Sequence, residues 1–387
     1  MPDLILGEFR PLTRLSASRE LIRQFTPNWF TATMGTGMLA LALDQVPLHI
    51  PALHAVGRTL WEFDIFLFAL FSVLYGARWV FFYDGAKRIF GHSLVSMFFG
   101  AIPMGLATII NGCLAFGIAI WGDAAVRVAT VLWWIDAGMA FSCGLLVPYF
   151  MFTRQDHSVD KMTAVWLLPI VACGVTAASG AQVLPHLPQA GAVGFLVLNY
   201  ALWALSVPLA MGILVILFLR LALHKLPHRD MAASSWLALG PIGTGALGLL
   251  LLGQDSLPVF TAAGMPVIGQ VAQGFGVVGG AILWGYGIWW LSLAIIVTIR
   301  YLREGLPFNI GWWGFTFPLG VYAVCTLNLA KQTHVDAIAD FGIVLVAMLA
   351  VFWLIVATRT WLGAWRGDLF VAPCLMTGIA PVESDVA

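Results

Sequence analysis

Apolar residues in this chain are gathered into long runs separated by short polar segments. A helix needs about 20 apolar residues to cross the hydrocarbon core of a bilayer. Ten stretches qualify, running roughly Trp29–Val46, Glu62–Phe82, Leu94–Ile120, Val126–Phe152, Met162–Ala181, Val193–Leu221, Ala232–Gly253, Gln270–Arg300, Trp312–Ala330 and Ile338–Leu362. Glu62 and Asp64 read as lying at the mouth of the second, and most of the others carry no charge. The connections are short, so no soluble domain is inserted. The pattern predicts an all-α polytopic membrane protein of ten transmembrane helices. Residues 1–28 form an N-terminal tail, 29–362 the membrane domain and 363–387 a C-terminal tail.

Composition sharpens this reading. Of the 387 residues 60% are hydrophobic and 10% charged, against about 45–50% and about 25% in an ordinary soluble domain. Too few charges remain to cover a soluble surface, which excludes a water-soluble enzyme. The formal net charge is zero, so no basic excess points to nucleic acid. The placement of the charges tests the span count. With a cytoplasmic N-terminus, 16 of the 19 Lys and Arg fall on the cytoplasmic side, leaving Arg58, Arg127 and Lys331 on the far side. Orientation follows positive residues in short loops, so both termini are expected in the cytoplasm and the protein in the plasma (inner) membrane. The first 25 residues carry four Arg and no apolar core of signal-peptide length. Within them, Leu15–Phe25 has the spacing of a short interfacial helix or an ordered tail.

The odd-numbered spans share a pattern. Pro103, Pro169, Pro241 and Pro318 fall in the third, fifth, seventh and ninth spans, and the first carries Gly35, Thr36 and Gly37 in MGTGMLALA. The chain therefore reads as five helical hairpins, each pairing one kinked, Gly- and Thr-rich helix with one bulkier helix. Proline inside a helix frees a carbonyl and bends the axis. In lipid that carbonyl must find a partner or face a water-filled cavity. The odd spans are expected to form an inner ring around a central pore. The even spans, rich in Trp, are expected outside.

Little conventional chemistry is present. Gly243–Gly248 matches G-x-G-x-x-G but lies inside an apolar helix, without the strand and acid that dinucleotide binding requires. All eight His fall in loops or at span ends, which argues against intramembrane haem. The five Cys show no metal or disulfide spacing, and no cofactor is implied. Asp136, in LWWIDAGMAFSC, is the one acid read as deep in a span. An ionised carboxylate there costs about 2.5–3.5 kcal/mol. It is a proton-relay site or a structural hydrogen-bonding group. Asn111, Asn199, Gln273 and Asn328 read as interhelical hydrogen-bonding residues. No Lys or Arg lies deep in an inner span. Anions would be handled by hydroxyls, with Thr33, Thr36, Thr108, Thr176, Thr244 and Thr316 as lining residues, and by helix dipoles. A bulky ring in such a lumen would block it, and Phe317, just before Pro318, is best placed to do so.

At these residues the chain resembles a known family. FTPNWFTATMGTGMLA, FFGAIPMGLATIING, LWWIDAGMAFSC, MTAVWLLPIVACGVTAASG and GWWGFTFPLGVYAVCTL resemble the tellurite-resistance/C4-dicarboxylate transporter family, which includes the plant slow anion channels. The match is strongest to its sulfite-efflux and malate-permease branch. The resemblance implies five hairpins around a pore in each subunit of a homotrimer. It also implies an occluding Phe that maps onto Phe317 and kinks that map onto the four prolines. The expected function is transport of a small anion, most plausibly sulfite efflux. The alternative is a proton-coupled C4-dicarboxylate (malate) or tellurite-related transporter with Asp136 in the relay. Its partners would be the anion and membrane lipid.

Overall fold

The computed structural model describes residues 11–48 and 50–375. Expectations for the outer parts of both tails, 1–10 and 376–387, and for His49 lie outside the described residues. Ten helices build the bundle: α1 (Phe30–Asp44), α2 (Pro51–Phe81), α3 (Val95–Trp121), α4 (Asp123–Thr153), α5 (Ala164–His186), α6 (Ala192–His224), α7 (Arg229–Ala262), α8 (Pro266–Glu304), α9 (Ile310–Thr333) and α10 (Asp336–Arg366). Among the described residues, nine of these, α2 to α10, are long and apolar enough to cross a membrane. That is one fewer than the sequence pattern predicts. The remaining helix, α1, has 15 residues and at 1.5 Å per residue is about 22 Å long. It is enclosed by protein on nearly every side, so it has no lipid thickness to match.

The odd helices close on themselves. Helix α1 packs on α3, α3 on α5, α5 on α7, α7 on α9, and α9 returns to α1. Each even helix lies outside, against the two inner helices that flank it. Burial follows the same alternation. The central stretches of α5 and α7 are 94% buried, that of α9 83% and that of α3 61%, whereas those of the even helices are 17–33% buried. The exposed residues of the outer ring are apolar, among them Val73, Val80, Phe152 and Trp361. That is the surface hydrocarbon requires.

The prolines act differently from the expectation of mid-helix kinks. Each inner span opens with a 3₁₀ segment: Pro27–Trp29, Val95–Gly100, Ala164–Trp166, Arg229–Trp236 and Ile310–Phe315. Regular α-helix then starts at Phe30, Ala101, Leu167, Leu239 and Phe317. Pro103, Pro169, Pro241 and Pro318 therefore stand in the first turn of the α-helical part. A proline there sacrifices no interior hydrogen bond, and its fixed φ favours the helix. The repeat is a change of helix type at one depth in five neighbouring helices.

The described ends of the chain meet beside this level. A short helix, Ser18–Arg23, falls within the stretch expected to be interfacial. The buried Arg78 at the end of α2 donates to Phe25 O (2.7 Å). Gln24 accepts from Ala372 N (2.8 Å), Arg14 pairs with Asp368 (3.0 Å), and Trp29 stacks on Phe370.

Candidate functional site

Three cavities follow one another along the axis of the inner ring. A vestibule of about 360 Å³ opens where the five inner helices begin. Its wall takes Thr31 from α1, Phe98 from α3, Val165 from α5, Ser234 from α7 and Gly314 from α9, most of them in or beside the 3₁₀ segments. Asp368, Leu369 and Val371, which follow α10, complete its rim. Deeper lies a chamber of about 30 Å³, again lined by all five inner helices, through residues such as Met38, Thr108, Val175, Thr244 and Val321. A distal mouth of about 690 Å³ follows, where the inner helices end, with Asp44, Gln182, Leu251 and Lys331 in its wall. Gln45, Gln182, Leu247 and Val324 belong to both the chamber and the mouth.

Phe317 is the one residue among those described that lines both the vestibule and the chamber. It is the first residue of the α-helical part of α9, and its side chain is 3% exposed. The ring thus fills the junction between the two cavities. The chamber wall contains no charged residue. The vestibule wall contains two, Asp230 and Asp368. All five inner helices begin at the vestibule, which gathers their partially positive N-terminal ends around it. Each helix carries about half a positive charge at its N-terminus.

The threonines expected to line the pore divide into two groups. Thr108 and Thr244 line the chamber. Thr36, Thr176, Thr33 and Thr316 are fully buried outside the cavity walls and bond to protein. Thr36 Oγ1 accepts from Trp353 Nε1 (3.0 Å), and Thr176 Oγ1 donates to Asp136 Oδ2 (2.6 Å). Thr33 Oγ1 donates to Phe30 O (2.8 Å) and Thr316 Oγ1 to Trp313 O (2.8 Å). Gly35 and Gly37 provide clearance for these side chains. A Cβ at Gly35 would strike Thr316 and Trp313, and one at Gly37 would strike Thr108 and Asp64. Of the prolines, Pro318 lines the vestibule, while Pro103, Pro169 and Pro241 are buried in their own helix starts.

Asp136 sits on outer helix α4 and faces α5. It is not the only deep acid. Asp64, read from sequence at the mouth of the second span, lies well inside α2 and is fully buried, with Thr108 Oγ1 donating to its Oδ2 (3.0 Å). A signal for this existed. W-x-x-D occurs at Trp61/Asp64 and again at Trp133/Asp136, 72 residues on. The Trp of this pattern extends around the whole ring. Trp61, Trp133 and Trp203 donate their indole N–H to Ile109 O (3.2 Å), Thr176 O (3.0 Å) and Gly245 O (2.9 Å). Trp284 and Trp353 donate to Thr326 Oγ1 and Thr36 Oγ1, each at 3.0 Å. Every outer helix thus clamps the next inner helix, and α10 closes the cycle on α1. The polar residues read as interhelical ties also divide. Asn328 bonds Gln45 Oε1 (2.7 Å), Asn199 bonds within its own helix, and Asn111 faces the chamber without a partner.

A closed ring of five helix hairpins enclosing a row of cavities defines a helical membrane transport protein. Residues 24–361 match the model of the voltage-dependent anion channel family, and the chain belongs to that family. Its relatives include a sulfite efflux pump of Arthroderma otae, 37% identical over 90% of this chain and 93% of the relative. An uncharacterized transporter of Methanocaldococcus jannaschii is 30% identical over 91% and 96%. A malic acid transport protein of Schizosaccharomyces pombe is 23% identical over 86% and 77%.

Proposed function

We propose that the protein conducts a small oxyanion of the sulfite type outward across the plasma membrane, and that Phe317 is the gate. The observation that carries this reading is the position of Phe317. Among the described residues it alone belongs to both the vestibule wall and the chamber wall, and all five inner helices line both cavities. Attraction of the anion is assigned to the helix N-termini around the vestibule. An uncharged chamber favours weak binding and rapid passage over tight capture.

The vestibule is taken as cytoplasmic. Lys and Arg concentrate at that end, with Arg78, Lys87, Arg154, Lys161, Arg300 and Arg359 among them, while Arg58, Arg127 and Lys331 lie at the other. Both termini then face the cytoplasm, and the vestibule is the side from which efflux would draw its anion. Each protomer would hold its own conduit in a homotrimer. The narrowness of the chamber, about 30 Å³, supports a small oxyanion over a larger C4-dicarboxylate. The full-length relatives named as sulfite efflux pumps point the same way.

The test is flux in proteoliposomes with sulfite, chloride, nitrate and malate, each with and without a pH gradient. Chloride and nitrate flux that is independent of the gradient, with sulfite also passing, supports the conduit. Saturable malate uptake driven by the gradient would replace it with the carrier reading.

A further inference from the structure

Thr244 and Asn111 stand out when the repeats are compared. Three residues after the clamping Trp, each of the first three outer helices presents a buried polar side chain to the interior. In α2 it is Asp64, which binds Thr108, and in α4 it is Asp136, which binds Thr176. In α6 the residue is Ser206, and no such pairing forms. Ser206 Oγ and the Thr244 methyl both lie around Gly174, and the Thr244 hydroxyl has no hydrogen-bond partner although Thr244 is 1% exposed. The third repeat therefore leaves free the hydroxyl that the first two tie up, and Thr244 lines the chamber.

Asn111 supplies the complementary group. It lines the same chamber from α3, which is not adjacent to α7 in the ring, and its buried Oδ1 also lacks a partner. Directly after it the helix passes into a π-helical turn, Cys113–Gly117. Such turns shift the phase of a helix and recur at functional sites. Gly112, between Asn111 and this turn, leaves the room that Trp61 occupies.

Buried polar groups without partners are costly, and natural proteins retain few of them. We propose that the chamber is a binding subsite for a singly charged oxyanion that retains one ionisable proton, such as hydrogen sulfite, with Thr244 donating to an anionic oxygen and Asn111 Oδ1 accepting the remaining O–H. This rests on the anion-conduit reading and adds to it the charge and protonation state of the cargo. The chamber has no charged residue in its wall, and Asp64 meets it only through Thr108. The solvation cost of burying an ion rises with the square of its charge, so a dianion would cost about four times as much as a monoanion there.

Proteoliposomes containing the full-length protein test this with sulfite, sulfate and chloride as probes. Wild-type sulfite flux should follow the hydrogen sulfite concentration as pH crosses the second ionisation of sulfurous acid. Chloride flux should stay level over the same range, and sulfate should pass at least tenfold more slowly. Asn111→Leu should lower hydrogen sulfite flux about tenfold, the factor for one lost hydrogen bond to a charged partner. Chloride flux should stay within about twofold, which also reports a folded conduit. Thr244→Val should lower both fluxes, and Thr244→Ser should restore them. Sulfite flux that is insensitive to Asn111→Leu while chloride still passes would overturn the subsite, as would transport of sulfate at the hydrogen sulfite rate. Absence of any anion flux in the wild type would instead overturn the conduit reading beneath it.

Discussion

Truncating Phe317 to alanine should raise anion flux about ten- to a hundredfold. In the closed conduit the ring is 3% exposed at the junction of a cavity of about 360 Å³ and one of about 30 Å³. To open, it must leave that packed position. Removing an aromatic side chain from its buried contacts costs about 1.5–3 kcal/mol, which corresponds to roughly one to two orders of magnitude in the open population. Alanine removes this cost along with the obstacle. The stability penalty should sit near the lower end of the about 3–5 kcal/mol seen for buried Phe→Ala changes, because the ring already faces space on two sides. Phe315 provides the control. It lies two residues away and is 5% exposed, but it packs on Trp236 and Phe352 outside the cavity walls. Phe315→Ala should destabilise the fold at least as much and leave flux unraised. Single-channel or stopped-flow liposome recordings, paired with thermal unfolding in detergent, measure both quantities. A Phe317→Ala protein that is folded yet less than about threefold faster than wild type would refute the gate assignment. So would an equal increase from Phe315→Ala.

Other expectations concern the outer ring and one partly buried histidine. Asp136→Asn should leave chloride flux unchanged with or without a pH gradient, since the group faces Thr176 and no cavity wall; wild-type malate uptake driven by the gradient and lost in this variant would revive the proton relay. Trp133→Phe should lower stability by about 1–2 kcal/mol through loss of the bond to Thr176 O and a smaller buried ring, whereas Trp361→Phe on the lipid-facing surface should not, as read by melting in detergent. His92, outside the spans, accepts from Leu94 N and Val95 N (3.2 Å each) at the start of α3, and partial burial lowers its pKa from the ordinary value. With the folded value below that of the unfolded chain, stability is fully present above about pH 6.5 and falls as pH drops through the lowered value. His92→Asn should flatten the pH dependence of the melting temperature over that window.

Much of the architecture was legible before any coordinates. Long apolar runs, few charges and a one-sided Lys and Arg distribution are forced by hydrocarbon, which accepts little else. The alternation of small and bulky spans is likewise a local property, because an inner helix needs small residues for close packing and an outer helix does not. Other features were hidden for a shared reason. In a membrane bundle both the lipid-facing and the protein-facing sides of a helix are apolar, so hydropathy does not reveal which way a given residue points. Thr36 and Thr176 face outer helices, while Thr108 and Thr244 line the chamber, yet all four sit in similar Gly- and Ala-rich stretches. Asp64 looked marginal because its depth depends on how far α2 extends beyond its apolar run, to Pro51.

The sequence by itself determined the medium, the helical class, the alternation and the ring at position 317. Those follow from solvation and steric size, which each residue carries with it. Only the tertiary structure decided that the prolines begin α-helix after 3₁₀ segments and that five indoles clamp the ring. It also decided that Asp136 is turned away from the path and that Thr244 and Asn111 share one small chamber. These facts depend on hydrogen bonds and clearances between residues about 40 to more than 300 positions apart in the chain. Such partners are chosen when the ring closes.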